Sequence, residues 1–290
     1  MKKRRKETDA GGTSGLVWLS DMQNADEDEG FYATAGKPLL FVIFALVAVV
    51  ALIVIGYSVF SYRAARTEYN RIRSDHVRVT SDPPAAVPVP VRDAEAEAVR
   101  PEGANLEIDF EALLAINADT VAWLDLPALH ISYPVVRTDD RDYYLSHTFE
   151  GNKNAGGAIF VEPVNGADFS DRNTFLYGHN SADGSMFGKL HELAYLEAER
   201  EANPFFYIYR RDGRIGKYRI YSCYVTDENS DSFVTFDDDY YDTYVTMTTE
   251  RSSADLHADG LSGGNIVTLS TCYGATGTTK RFLVHGIQVE

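Results

Sequence analysis

The sequence predicts a mainly β fold: an eight-stranded barrel with one helix ahead of its first strand and a second helix inserted before its last strands. One transmembrane helix precedes the whole. Three observations carry this. Leu39 to Phe60 is a run of 22 uncharged residues rich in Leu, Val, Ile, Phe and Ala. From residue 105 onward, short apolar runs recur between Gly, Pro, Asn and Asp. Two stretches in that region have helical spacing instead.

In chain order, residues 1–38 contain Gly11-Gly-Thr-Ser-Gly15 and the acidic run Asp26-Glu-Asp-Glu29, and read as a disordered tail. Residues 39–60 then match the roughly 20 apolar residues needed to span a bilayer. A cleavable signal would have a shorter apolar core, nearer the N-terminus, followed by small residues. Residues 61–104 read as a juxtamembrane segment, continuing the helix to about residue 78, and then a Pro/Ala/Glu linker with Pro83, Pro84, Pro88, Pro90 and Pro101.

The folded domain is expected over 105–290. Phe110, Leu113, Leu114 and Asn117 recur at helical spacing behind Asp109, an N-cap residue. Strands are expected at 121–126, 131–136, 157–161, 174–177, 205–209, 218–225, 266–270 and 281–289. Eight short strands with turn signals between them favour closure into a barrel. The second helix is expected at 238–251, where Tyr240, Tyr241, Tyr244, Val245 and Met247 lie on helical turns.

The net charge of -16 is carried almost wholly downstream of the tail, where 21 basic residues face 36 acidic ones. Nucleic-acid binding draws its affinity from Lys and Arg on phosphates, so that class is excluded. Charge does not orient the membrane helix. Lys37 on one flank faces Arg63, Arg66, Arg71 and Arg73 on the other, whereas Lys2, Lys3, Arg4, Arg5 and Lys6 are far from the span.

Chemistry concentrates in three places. Cys272 ends the apolar run Thr268-Leu-Ser-Thr-Cys272 and is followed by the small-residue loop Tyr-Gly-Ala-Thr-Gly-Thr-Thr. The chain holds two cysteines, and pairing of Cys223 with Cys272 in a non-catalytic tethered scaffold is the bland alternative. Cys223 sits inside the strand run Lys217–Val225, where a free cysteine behaves as a small hydrophobe. Cys272 stands where a nucleophile meets substrate, and is read as free and reactive. His179, in Tyr177-Gly-His-Asn180, also ends a β-run beside a glycine. Alone it would pass for a structural histidine, but the matching construction around Cys272 favours an acid–base partner. Arg281, nine residues beyond Cys272, is either a solvated strand-start charge or a guanidinium that steadies an oxyanion. No His, Cys, Asp and Glu have ligand-like spacing, so no metal or cofactor is expected.

In order along the chain, Asn117-Ala-Asp-Thr-Val-Ala-Trp123, Ile131–Val136, Tyr143-Tyr-Leu145, Gly156-Gly-Ala-Ile-Phe160, Tyr177–Asn180, Gly184-Ser-Met-Phe-Gly188, Thr268–Cys272 and Arg281–His285 resemble the sortases, membrane-anchored cysteine transpeptidases of Gram-positive bacteria, and among them class B. The resemblance implies roles: Cys272 as nucleophile, His179 as general acid/base, Arg281 as the substrate-positioning and oxyanion-stabilising cation. Leu145, Ser270 and Tyr273 would meet the sorting signal, Tyr273 through a backbone N–H that serves the oxyanion. Two positions depart from the family. Arg141 stands where Asn is frequent, and Tyr273 where some members carry an acid.

The same resemblance implies the reaction and its setting. A Thr–Gly or Thr–Asn bond in a C-terminal sorting signal is cleaved through an acyl-thioester on Cys272. The protein is then passed to an amine of a peptidoglycan precursor or a pilin lysine. The catalytic domain would be extracellular on a single-pass signal anchor, with the tail cytoplasmic. A cysteine hydrolase on the same barrel remains open, because acylation uses the same residues either way.

Overall fold

The computed structural model describes residues 16–80, 100–257, 260–261, 263–275 and 277–290, with side chains of the first helix described from Leu40 onward. The chain divides into two compact units, Met1–Ser58 and Val59–Glu290.

The first unit lies on helix α1, Leu16–His76. From Leu40 this helix contains a stretch of mean hydropathy 3.1, none of it buried, long and apolar enough to cross a membrane. Its start corrects the expectation of a disordered tail over 16–38. Once a helix is nucleated, each added residue costs little, so the apolar run extends helix to its neighbours. The rest of the tail, 1–15, and most of the expected linker, 81–99, lie outside the described residues.

In the second unit the last turns of α1 are not a free juxtamembrane segment. Ala65, Tyr69 and Ile72 recur at helical spacing on one face and are buried against the barrel. Two short strands that the sequence reading missed follow: β1, Val77–Val79, pairs antiparallel with β2, Leu106–Ile108. Three-residue strands carry too little pattern to be read from periodicity.

Helix α2, Phe110–Ile116, opens as expected, with Asp109 accepting the Ala112 N–H at 2.9 Å. The barrel strands are β3 (Thr120–Leu126), β4 (Ile131–Val136), β5 (Ile159–Val161), β6 (Asn173–Tyr177), β7 (Phe205–Arg210), β8 (Ile215–Asp227), β9 (Ile266–Cys272) and β10 (Lys280–Gln288). Helix α3, Glu197–Ala202, precedes β7, and α4, Asp238–Glu250, is the expected insertion before β9. All eight expected strands are present, with bounds within three residues.

The barrel closes in the order β10-β8-β7-β3-β4-β5-β6-β9. The β4–β5 and β6–β9 pairs are parallel and the rest antiparallel. Trp123, Phe149, Phe187, Phe206 and Phe282 are among the large side chains that fill the core. A parallel pair brings the C-terminal ends of both strands to one rim. The β6–β9 pair therefore sets the location of the site.

Candidate active site

Three neighbouring strands meet at one rim of the barrel. In the β6–β9 ladder Tyr177 lies opposite Ser270, and the Gly178 N–H donates to the Ser270 carbonyl at 3.2 Å. Thr271 Oγ1 returns a bond to the Gly178 carbonyl at 2.8 Å. That register carries His179 to the level of Cys272. On the other side of β9, Arg281 is the register partner of Cys272. His179, two residues past the end of β6, thus stands at the level of Cys272 on one side, and Arg281 of β10 on the other. All three share the wall of a groove of about 420 Å³.

Cys272 is the one residue of β9 that is exposed, because it ends the strand while Ile266–Thr271 remain in the core. Both cysteines are free thiols. Cys223 pairs with Val284 of β10 and Cys272 with Arg281, so two strand spacings and three residues separate them. Ordinary β geometry makes that roughly 14 Å, twice the Cα separation a disulfide tolerates. The scaffold reading with a Cys223–Cys272 bridge is therefore excluded. Burial raises the Cys223 thiol to about 11.

His179 is oriented from behind. Its Nε2 lies 2.8 Å from the Leu145 carbonyl oxygen, which can only accept, so Nε2 carries the hydrogen. In the neutral ring Nδ1 is then the nitrogen with the free lone pair. Gly157 closes the same seat. Its φ is +58°, and an added Cβ would stand 2.6 Å from the Tyr144 carbonyl oxygen and 2.7 Å from His179 Cδ2. Only glycine fits this position.

Arg281 is held at three points. Nη1 donates to the Thr278 carbonyl at 2.9 Å and to the Lys280 carbonyl at 3.0 Å. Nη2 donates to the Glu228 carboxylate. Of five guanidinium hydrogens, the one on Nε and one on Nη2 remain for a ligand.

Leu145, 42% exposed at the end of the 3-10 turn Tyr143–Leu145, lines the groove. So does Ser270, which is buried and whose Oγ has no hydrogen-bond partner among the described residues. Tyr273 does not line it. Its ring lies 6.1 Å from that of Phe282 and 6.2 Å from that of His191. Its N–H donates to the Lys280 carbonyl at 2.9 Å, so this group, expected at an oxyanion, is already engaged. Arg141 lines the groove beside them, 2.8 Å from Glu162 and over the Tyr177 ring at 5.7 Å. Glu228 and Gly157 were missed from sequence. Glu228 has no motif, Gly157 was noted only as part of Gly156–Phe160, and each acts on a residue brought near only by closure of the barrel.

Known proteins are similar to this chain in sequence and fold. A family model described as the sortase domain matches residues 124–289. The chain is 32% identical over 198 residues to sortase B of Staphylococcus aureus, covering 65% of this chain and 75% of that protein. The structure of sortase B from Bacillus anthracis in complex with AAEK1 superposes with a TM-score of 0.62 at 26% identity, over 80% of this chain and 99% of that one. A Staphylococcus aureus sortase B–substrate complex superposes with a TM-score of 0.57 at 28% identity, over 62% of this chain and 84% of that one.

Proposed function

The chain belongs to the sortase family, class B, and is a cysteine transpeptidase; from that premise we propose the residues, bonds and setting of its reaction. Cys272 is the nucleophile, His179 the general acid/base, and Arg281 the oxyanion cation. The observation that carries this is that the three line one groove, His179 two residues beyond the end of β6, Cys272 at the end of β9 and Arg281 opposite it on β10.

In the first half-reaction the Cys272 thiol yields its proton to His179 Nδ1, and the resulting thiolate attacks the threonine carbonyl of a Thr–Gly or Thr–Asn bond in a sorting signal. The developing oxyanion draws on the two uncommitted hydrogens of Arg281. As the C–N bond breaks, His179 delivers a proton from Nδ1 to the leaving amine, and a thioester remains on Cys272. In the second half an amine attacks the thioester, His179 takes its proton, and the new amide leaves as the thiolate is restored. Two moderate barriers replace one high one.

Leu145 and Ser270 would contact the bound signal. Leu145 offers exposed apolar surface, and the Ser270 hydroxyl offers a buried, unused donor. The substrates are surface proteins or pilins carrying a sorting signal, and the acceptor is an amine of a peptidoglycan precursor or a pilin lysine. The similar Staphylococcus aureus sortase B–substrate complex supports a sorting-signal peptide as substrate. α1 anchors the chain as a single-pass signal anchor, with the catalytic unit outside the cell and residues 1–38 in the cytoplasm.

The test is to incubate the full chain with peptides ending in the two signal types, with and without an added amine. A ligated mass that appears only with the amine is expected. Acid product alone in both samples would leave a hydrolase.

A further inference from the structure

The last turns of α1 contribute no residue to the groove wall, yet two of their side chains hold the segment that seats His179. Tyr69 is 5% exposed. Its hydroxyl donates to the Gly157 carbonyl at 2.7 Å and accepts the Phe149 N–H at 3.0 Å. The adjacent Glu68 carboxylate accepts from Thr148 Oγ1 at 2.9 Å, from the Glu150 N–H at 3.1 Å and from Asn152 Nδ2 at 3.1 Å. All five bonds fall on residues 148–157, between the turn that ends at Leu145 and strand β5.

That segment forms part of the imidazole's seat. The Leu145 carbonyl receives the Nε2 hydrogen, and the Tyr144 carbonyl receives the Ala158 N–H at 3.0 Å, which ties the turn to the residue after Gly157. Gly157 itself lies against the Cδ2–Nε2 edge of the ring. One peptide group therefore lies between the Tyr69 hydroxyl and the His179 ring. Gly157 and Phe149 are buried, so without that hydroxyl a carbonyl and an N–H would each lack a partner away from water. The loop would have to shift to satisfy them, and the shift would be felt at the ring.

We propose that Tyr69, supported by Glu68, is a positioning residue for the transpeptidation. It clamps the Gly157 peptide against His179, and so determines which ring nitrogen carries the hydrogen and which is left to exchange a proton with the substrate amine. The inference rests on the reading of His179 as the acid–base group.

The experiment uses the full chain in detergent and compares wild type with Tyr69→Phe, Glu68→Gln and His179→Ala. Steady-state kinetics are measured with a sorting peptide, and the His179 tautomer is followed by ¹⁵N NMR. A misplaced acid–base group costs turnover rather than binding, so Tyr69→Phe is expected to lower kcat by roughly tenfold or more. KM should stay within about twofold. The neutral ring should change from one Nε2–H tautomer to a mixture. Glu68→Gln should show the same split more weakly, and it decides the matter if Tyr69→Phe does not fold. A wild-type kcat and tautomer in the variant that folds overturns the proposal. So does a lower kcat with the tautomer unchanged, which marks a structural role only. Activity retained in His179→Ala overturns the acid–base reading instead.

Discussion

Arg281 faces Cys272 across the β9–β10 ladder, and its guanidinium is anchored by Glu228 from the loop after β8. The cation beside the thiol is thus aimed by protein groups before any substrate arrives. A preorganised donor has no reorganisation to make when charge develops on the substrate oxygen.

Replacing Arg281 should therefore cost turnover heavily. Arg281→Ala would remove the proposed oxyanion donor, and loss of such a donor typically costs about 10²–10³ in kcat. Arg281→Lys should recover little, because an ammonium cannot hold the two carbonyls and Glu228 while pointing a further hydrogen at the substrate. Glu228→Gln should be mild. Both partners of this ion pair are part-exposed, and such pairs contribute about 0–1 kcal/mol, or at most about fivefold. Thioester accumulation with a sorting peptide, followed by intact mass, ranks the three variants. A Glu228→Gln loss as deep as that of Arg281→Ala would show that the carboxylate does more than aim the cation.

The two thiols should separate cleanly in alkylation. With iodoacetamide and no reductant, the folded chain should gain one adduct at Cys272, which is exposed. Cys223 is buried in β8 and its thiol is raised to about 11, so it should react only after unfolding. Peptide mapping checks this, and a native adduct on Cys223 contradicts the register described for β8 and β10.

Gly157 can be tested by one methyl group. In Gly157→Ala the new Cβ would meet His179 Cδ2 at 2.7 Å and the backbone oxygen of Tyr144 at 2.6 Å, at a left-handed φ that disfavours alanine. Both contacts are too short to persist, so the turn that ends at Leu145 and the imidazole it holds must both give way. A 1 Å misplacement of a catalytic group costs up to about 10²-fold, and kcat should fall by tens while the far-ultraviolet spectrum is unchanged. Wild-type turnover would show that the ring tolerates displacement.

The sequence was legible where the chemistry is local. Thr268–Cys272, Tyr177–Asn180 and Arg281 each sit at a strand end, and strand ends can be read from where an alternating apolar run meets small residues. The eight strands and α4 were legible for the same reason. Glu228 was not, because it meets Arg281 from 53 positions away in a turn with no periodicity. The link from Tyr69 to Gly157 spans 88 positions. Tyr69 and Ile72 looked like the trailing end of a membrane helix, because a three-residue apolar stripe among arginines has too few members to mark a buried face. Contacts made by closure depend on which strands become neighbours, and no single segment encodes that.

His285 offers a test of the barrel interior rather than of catalysis. It is fully buried on β10, with Nδ1 2.9 Å from Thr268 Oγ1 and Nε2 3.2 Å from Tyr224 Oη. The rings of Tyr221, Tyr224 and Tyr244 surround it, and among the described residues no carboxylate pairs with it. Burial therefore lowers its pKa from 6.5 to about 3. The sign follows from the proton count. Between pH 6.5 and about 3 the unfolded chain binds a proton that the folded chain refuses, so stability is intact above 6.5 and is lost as pH falls. At pH 4 the loss amounts to roughly 3 kcal/mol from this one group, or roughly 5–10 °C in Tm for a domain of this size. His285→Gln keeps a donor and an acceptor at the site and cannot take up the proton. Its Tm at pH 7 should be lower than that of wild type, and the gap should narrow or reverse at pH 4. Parallel melting curves from pH 7 to pH 4 would show that His285 titrates in the folded protein much as it does in the unfolded chain.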